Sequence, residues 1–244
     1  MKVFRAVVLV ASTTLCAVAP VAAQADLGPH STVGLAAKVS TLGLGLDAAF
    51  PVLERANVRV GFNLFSLNHE FDNDGIILAA NLRMRSFSAY FDWFAFGGGF
   101  HVSPGVMIHN GNQLSAVATV PGGDSFSLGD EELYSNRANP VIGSAKIGFE
   151  KVAPSLNIGW GNIVPRGNRR WSIPFELGLV YSRAPTTTLS FGGSACNQAG
   201  TNCRNIANDP ALQADVTREQ NNMNSDLSIL KVIPVLSLGF SYKF

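Results

Sequence analysis

The residues best suited to chemistry are a histidine and a serine two positions apart, His101 and Ser103. A histidine beside a serine is the minimum arrangement in which a general base can activate a hydroxyl nucleophile. Phe100 and Val102 alternate with them, so both polar residues are expected on the same face of one β-strand. We expect a structural role for the pair, because that face points into the enclosed interior predicted below. The sequence therefore predicts that the chain is not an enzyme.

Charged side chains recur on the polar faces of several alternating segments. Inside a narrow closed barrel, which the strand pattern predicts, such charges must pair with one another or with trapped water, because an unpaired buried charge is costly. We interpret them as a structural ion-pair network that fills the lumen. A conducting path for protons or small ions is the alternative. The predicted luminal network consists of Lys38, Asp47, Arg59, Asp92, His101, Glu150 and Glu176.

Two cysteines, Cys196 and Cys203, lie close together in a long polar connection near the end of the chain. If that connection is exported to an oxidising compartment, a disulfide between them is expected. The other histidines, His30, His69 and His109, are not spaced like metal ligands, and no cysteine accompanies them. We expect no metal ion and no other cofactor.

Apolar and polar residues alternate with the period of a half-buried β-strand in eight segments of the chain. The pattern favours an antiparallel up-and-down barrel of eight strands, since a bacterial single-chain barrel has an even strand number. Reading residues 33–52 as one strand would leave seven, and a strand drawn from residues 121–140 would lead towards ten. The eight segments are 33–39, 42–50, 58–64, 76–96, 100–108, 147–160, 171–181 and 236–244.

The N-terminus has the features of a cleaved signal peptide. Lys2 and Arg5 precede an apolar stretch that ends in Ala23-Gln24-Ala25, an A-x-A cleavage pattern. We predict a signal peptide over residues 1–25 and a mature domain over 26–244. Removing Lys2 and Arg5 from 18 basic residues leaves 16 against 17 acidic ones, a net charge of −1 that gives no reason to expect nucleic-acid binding.

The composition and the last strand both point to a membrane. Hydrophobic residues make up 47% of the chain and charged residues only 14%, although no run of about 18 apolar residues follows the signal peptide. A barrel reconciles these facts, because only every second strand residue faces lipid. The chain ends on alternating apolar residues that resemble the C-terminal assembly signal of bacterial outer-membrane barrels. These residues are Leu238, Phe240, Tyr242 and Phe244.

Aromatic residues fall beside the short turns and the C-terminus, where an interfacial girdle of a barrel is expected. The members are Phe50, Trp93, Phe94, Phe96, Phe100, Trp160, Trp171 and Phe244. In the last long connection, Asp209-Pro210 predicts the start of a helix within residues 209–230. Its apolar stripe is expected to pack on the barrel rim, with a plug or a partner-binding surface as alternatives. That stripe comprises Leu212, Val216, Met223, Leu227 and Leu230.

Taken whole, the chain resembles the small outer-membrane β-barrels of Gram-negative bacteria, the group that includes the OmpA-type membrane domain, OmpX and OmpW. The resemblance implies a monomer in the outer membrane, in contact with its lipids and lipopolysaccharide and inserted by the outer-membrane assembly machinery. We predict a non-catalytic structural or surface-interaction role, in which the loops offer a surface to an extracellular partner. A narrow, porin-like transporter of small or apolar solutes is the alternative.

Overall fold

The structure is a computed structural model that describes residues 32–73 and 76–244. It is built mainly of β-strands, with one helix near the C-terminus. The predicted signal peptide lies outside the described residues. The strands are β1 (Gly34–Ser40), β2 (Gly43–Leu53), β3 (Ala56–Asn73), β4 (Ile76–Trp93), β5 (His101–Asn110), β6 (Gln113–Val120), β7 (Ser125–Leu128), β8 (Glu131–Ser135), β9 (Val141–Gly148), β10 (Ala153–Trp160), β11 (Trp171–Ser172), β12 (Phe175–Tyr181), β13 (Thr186–Gly192), β14 (Ser194–Cys196), β15 (Arg204–Asn205) and β16 (Val232–Lys243).

Eight antiparallel strands close into a barrel in the order β1, β2, β3, β4, β5, β10, β12 and β16, and β16 pairs back with β1. The predicted eight-stranded barrel is therefore confirmed. Gly34 pairs with Lys243, so both ends of the barrel domain lie at one mouth, which we call the terminal end. The opposite mouth, where the long connections lie, is called the loop end.

The barrel wall has an apolar outer face and a polar inner face. On β2, Leu44 and Leu46 are 50% and 66% exposed, whereas Asp47, the residue after Leu46, is 4% exposed. On β16, Leu236, Leu238 and Phe240 likewise lie on the exposed face. This alternation follows from the two-residue period of a strand. It directs the polar residues of the eight strands into one narrow interior.

The face polarity of β3 and β4 reverses above the barrel. Their pairing register runs without a shift from Ala56 opposite Trp93 to Asn73 opposite Ile76, so a given face can be followed along the whole hairpin. Within the barrel the inner face carries polar pairs such as Asn63 opposite Ser86, whereas farther up the same face carries apolar pairs such as Leu67 opposite Leu82. The polarity of this hairpin thus changes at a definite height, without a register shift between β3 and β4.

Three of the barrel strands continue past an interruption towards the loop end. β5 is followed by β6, β10 is preceded by β9, and β12 is followed by β13, and the continuations extend the upper halves of β3 and β4 as an open sheet. The predicted sixth segment, 147–160, is thus two strands, β9 and β10. The predicted third segment, 58–64, is shorter than the strand observed, because β3 continues as far as Asn73.

The long connections fold together into a small cap at the loop end. Residues 121–140 supply β7 and β8, which form a separate four-stranded sheet with β14 and β15, so they add no strand to the barrel. The structure joins Cys196 and Cys203 by a disulfide at the end of β14. The apolar core of the cap comprises Val120, Leu128, Leu133, Val141, Ala195, Ile206, Leu212 and Val216.

The helix α1 (Pro210–Asp226) begins where the sequence predicts. The Asp209 side chain caps it by accepting hydrogen bonds from the backbone N–H groups of Ala211 and Leu212. Two side-chain amides, Gln220 and Asn224, accept hydrogen bonds from β13 backbone N–H groups at 3.0 and 2.8 Å. The helix therefore covers the edge of the open sheet, which would otherwise present unpaired backbone groups. No helix among the described residues is long and apolar enough to cross a bilayer.

Candidate functional site

The lumen is organised around one guanidinium group, that of Arg59 on β3, whose side chain is 1% exposed. Its Nε and Nη2 atoms donate to Asp92 on β4 at 3.0 Å, and Nη1 donates to Asp47 on β2 at 3.1 Å. Nη2 also lies 2.6 Å from Glu176 Oε1 on β12. The ring of Tyr90 lies 4.5 Å from the guanidinium carbon. Three carboxylates and an aromatic face thus surround one cation.

A second set of contacts surrounds this centre. Lys38 Nζ on β1 lies 2.7 Å from Asp47 Oδ1, and His101 Nε2 on β5 lies 3.1 Å from Glu176 Oε1. Ser103 donates its hydroxyl proton to Asp92 at 2.6 Å. Six barrel strands, β1 to β5 and β12, therefore contribute to one continuous polar cluster. We call Lys38, Asp47, Arg59, Asp92, His101 and Glu176 the luminal cluster.

The cluster is close to electrical balance. Asp47, Asp92 and Glu176 contribute −3 when ionised, and Lys38 and Arg59 contribute +2, which leaves −1. A proton on His101 would bring the sum to zero. Near-neutrality is what a space with little water requires, because each unpaired buried charge costs several kcal/mol.

Glycines on neighbouring strands make room for the polar side chains. A Cβ atom at Gly61 would collide with Asp47 Oδ1, and one at Gly178 would collide with the Asn157 amide oxygen. The cavity that remains between Lys38, Asp47, Arg59 and Glu176 has a volume of about 10 Å³. That is room for roughly one water molecule. The lumen at this height is filled by side chains.

Buried apolar residues lie in the interior on both sides of the cluster. At the terminal end, the turn before β11 folds inward, and Ile163 and Val164 pack against Ala36 and Ala49. Lys243 fixes this turn by donating to the carbonyl oxygens of Pro165 and Gly167 at 2.7 and 2.8 Å. Towards the loop end, a second apolar group crosses the interior. It consists of Leu42, Met107, Ala153, Val180 and Val235, with Ile233 packed against it.

One predicted member does not belong to the cluster. Glu150 is exposed and lies in the segment between β9 and β10. The prediction assumed one continuous strand through residues 147–160, but β9 ends at Gly148 and the chain leaves the barrel ladder there. Without a strand at this position, alternation no longer determines where the side chain points. The other six predicted residues meet within hydrogen-bonding or ion-pairing distance.

The possible nucleophilic pair is not assembled. Ser103 Oγ donates to Asp92, and His101 contacts Glu176 through Nε2 and the carbonyl oxygen of Gly99 through Nδ1. Within the described part of the chain, no hydrogen bond joins His101 to Ser103. A hydroxyl that donates to a carboxylate without a base beside it lacks the arrangement that acyl transfer needs.

Three contributors were missed from the sequence. Tyr90 shares the inward parity of Asp92, so alternation could have identified it. Ile163 and Val164 lie between the predicted segments 147–160 and 171–181, and no periodic signal marks their inward position. Phe94 was expected in the interfacial girdle, but it is 1% exposed and lies 5.3 Å from the ring of His101, centroid to centroid.

The residues of the predicted assembly signal lie on the exposed face of β16 and directly after its end. Leu238, Phe240, Tyr242 and Phe244 are 56%, 56%, 38% and 58% exposed, and the backbone N–H of Phe244 donates to the carbonyl oxygen of Val33. The terminal residue thus completes the closing seam between the first and last strands.

Comparison with known proteins supports the fold. The chain is similar to CarO of Acinetobacter baumannii, with 19% identity over 91% of this chain and 100% of that chain and a TM-score of 0.53. It is also similar to CarO2 of the same species, with 17% identity over 87% of this chain and 98% of that chain and a TM-score of 0.54.

A major outer membrane protein from Thermus thermophilus gives a TM-score of only 0.37 at 12% identity, over 88% of this chain and 100% of that chain, which is too low to support an argument. No protein-family model and no curated protein matches the chain. At these identities the two Acinetobacter structures show a shared fold and nothing finer. The predicted resemblance to small outer-membrane β-barrels is confirmed at the level of the fold.

Proposed function

We propose that this protein is an integral outer-membrane β-barrel with a closed lumen and a non-catalytic role at the cell surface. Its membrane placement is supported by the apolar outer face of the barrel strands and by exposed aromatic residues near the terminal end. Trp93, Trp160 and Trp171 are 52%, 59% and 58% exposed beside the turns there. Tryptophan concentrates at such positions because its ring is amphipathic and suits the membrane interface.

In this placement the terminal end faces the periplasm and the loop end faces outside. The long connections at the loop end and the shorter turns at the terminal end support this orientation. The reversal of face polarity along β3 and β4 supports the height at which the wall leaves the membrane. Below the reversal the outer face is apolar and suited to lipid, whereas above it the outer face carries residues such as Asn68, Glu70 and Arg83. An outer face that becomes polar is expected where a strand leaves the hydrocarbon and enters water.

The observation that carries the proposed role is the luminal cluster. A path for solutes needs connected water, but the cluster leaves about 10 Å³ between its central side chains, and apolar layers lie above and below it. What remains for function is the cap and the lipid-facing wall. We infer that the cap offers a surface to an extracellular partner, and that the barrel is a monomer inserted by the assembly machinery among outer-membrane lipids and lipopolysaccharide.

Membrane placement and closure can be tested on one preparation. The folded barrel should resist SDS until it is boiled, so heated and unheated samples should differ in mobility, and cell fractionation should place the protein in the outer membrane. Proteoliposomes made from the heat-modifiable fraction should swell in small sugars and amino acids no faster than protein-free liposomes. A soluble periplasmic protein with one mobility would contradict the placement, and rapid swelling would contradict the closed lumen.

A narrow transporter of small or apolar solutes is the second candidate, and one observation favours it. Above the barrel, the inner face of the open sheet is apolar and partly exposed, with Phe65, Leu67 and Phe71 on β3 at 38%, 47% and 39% exposure. Leu67→Gln should then slow uptake of an apolar solute, while Glu70→Gln on the opposite face of the same strand should not. Equal uptake by both variants and by cells that lack the protein would remove this candidate.

A further inference from the structure

A pocket of about 400 Å³ opens at the terminal end, between the turn that follows β4 and the turn that precedes β11. Glycine backbone forms one side of it and the inward-folded turn forms another. It lies outside the luminal cluster, and the closed-lumen function does not use it. Its walls include Gly97, Gly161, Arg166, Arg169, Trp171 and Ile173.

The pocket carries positive charge without a counter-charge. Arg166 and Arg169 contribute two guanidinium groups, and no aspartate or glutamate lines the walls. Among the described residues, no carboxylate oxygen lies within 4.0 Å of a guanidinium nitrogen of either arginine, so neither side chain forms an ion pair. Two uncompensated guanidiniums at one opening favour an anion, and phosphate oxygens suit the planar fork of their donors.

The position of Arg166 is set by packing. Its guanidinium carbon lies 5.2 Å from the centre of the Phe94 ring, an arrangement that attracts a cation to the ring face. The turn beneath it is held by Lys243 through the carbonyl oxygens of Pro165 and Gly167. The donors of Arg166 are thus presented by a fixed turn, so less side-chain freedom is lost when an anion binds.

The outer rim of the pocket is apolar and continuous with the lipid-facing wall. Trp171 and Ile173 are 58% and 57% exposed, and the Trp171 ring stacks on Phe240 of β16 with centroids 6.5 Å apart. Phe96, beside the glycine turn, is 81% exposed. A ligand that places an anionic group between the arginines can therefore lay an apolar chain along this rim.

We propose that the pocket binds the phosphate group of an anionic phospholipid of the periplasmic leaflet, with the acyl chains against Trp171, Ile173 and Phe240. This assignment rests on the proposed membrane placement, which puts the terminal end at that leaflet. A soluble phosphate would use the arginines but not the rim. Lipopolysaccharide is excluded as the occupant by position, because it belongs to the leaflet at the loop end.

Lipid binding to the intact folded barrel, measured by native mass spectrometry from detergent, tests the proposal. Phosphatidylglycerol, which is anionic, and phosphatidylcholine, which is zwitterionic, are compared with identical acyl chains, so that the two lipids differ only in their headgroups. We expect phosphatidylglycerol to bind about tenfold more tightly, a preference of the size that charge-assisted hydrogen bonds provide. Arg166→Gln combined with Arg169→Gln should abolish the preference, whereas Arg55→Gln, an exposed arginine of the β2–β3 turn, should retain it.

Equal binding of the two lipids, or a preference that survives in the double variant, would overturn the proposal. Inorganic phosphate provides the third arm: displacement of phosphatidylglycerol by an equal concentration of phosphate would assign the pocket to a free anion and exclude the lipid. If the double variant gives no heat-modifiable band, Arg169→Gln alone carries the test, because its side chain makes no ring contact. The heat-modifiable band itself reports the membrane barrel, so failure of lipid selectivity is distinguishable from failure of the proposed placement.

Discussion

At the scale of single residues, the luminal cluster depends on each carboxylate having a specific partner. Glu176 shows this most directly, because its oxygens meet Arg59 and His101 and also accept from Asn157 at 3.4 Å. The side chain is 7% exposed, so water cannot replace a lost partner. Buried ion pairs of this kind add little to the stability of the fold when they are complete. Removing one partner, however, leaves the other as an uncompensated buried charge.

Two glutamates provide a matched pair that tests this account. Glu176→Gln removes one negative charge from the luminal cluster and should lower the free energy of unfolding by roughly 3 to 5 kcal/mol. Glu150→Gln makes the same chemical change on an exposed side chain and should alter it by less than about 0.5 kcal/mol. Urea unfolding of both variants in lipid vesicles measures the difference. Equal losses of unfolding free energy in the two variants would indicate that Glu150 lies in the lumen, as the sequence alone predicts.

Arg59 should be the more sensitive position, because it serves three carboxylates at once. Arg59→Gln leaves Asp47, Asp92 and Glu176 with one permanent cation, and we expect a loss of at least the roughly 3 to 5 kcal/mol typical of a broken buried pair. Arg85→Gln, an exposed arginine of β4, is the control. Near-wild-type urea midpoints for Arg59→Gln would mean that the cluster is hydrated and carries little of the barrel's stability.

At the scale of elements, the alternation of apolar and polar residues predicted most features of the barrel strands and few features of the connections between them. It identified eight barrel segments and the inward parity of Asp47, Arg59 and Asp92, because side-chain direction in a strand is fixed by local geometry. Glu150 was misplaced because the prediction of one strand over residues 147–160 extends the alternation across the interruption between β9 and β10. The pairing of β8 with β14 joins residues far apart in sequence, which no local pattern can reveal.

The last strand should matter for insertion more than for export. Deleting Phe244 removes the end of the proposed assembly signal and the backbone contact with Val33 that completes the seam. We expect lower outer-membrane levels, with the protein still exported. Phe96→Ser changes an exposed phenyl group in a turn at the same end and should leave levels unchanged. Normal outer-membrane levels of the protein after deletion of Phe244 would show that the end of β16 is not an assembly signal.

The helix of the cap should depend on its N-cap. Asp209→Ala removes the acceptor for two backbone N–H groups and should destabilise the helix by about 0.5 to 2 kcal/mol. Trypsin should then cleave the loosened helix after Arg218 more rapidly. Asp226→Ala, at the other end of α1, removes a carboxylate that makes no capping bond and serves as control. Faster cleavage is expected only for Asp209→Ala in the folded barrel. Equal rates would indicate that the cap core, through Leu212 and Val216, holds the helix without the cap residue.

At the scale of the whole molecule, the chain combines three zones along the barrel axis. The terminal end has an inward-folded turn and the cationic pocket, the middle has the luminal cluster, and the loop end has the apolar layer and the cap. In the proposed placement, the reversal of face polarity along β3 and β4 marks the transition between the lipid-facing wall and the water-facing sheet. The proposed closure of the lumen depends on these zones together, because the cluster and both apolar layers lie in series.

Single-channel conductance of the refolded, heat-modifiable protein in a planar bilayer tests the central claim most directly. Because the proposed closed lumen leaves no continuous water path, we predict a current that stays at the level of the protein-free bilayer, without discrete opening steps. A known wide porin, refolded in the same lipids, confirms that inserted barrels are detected. Reproducible discrete steps from the unmodified protein would contradict a closed lumen and favour the transporter.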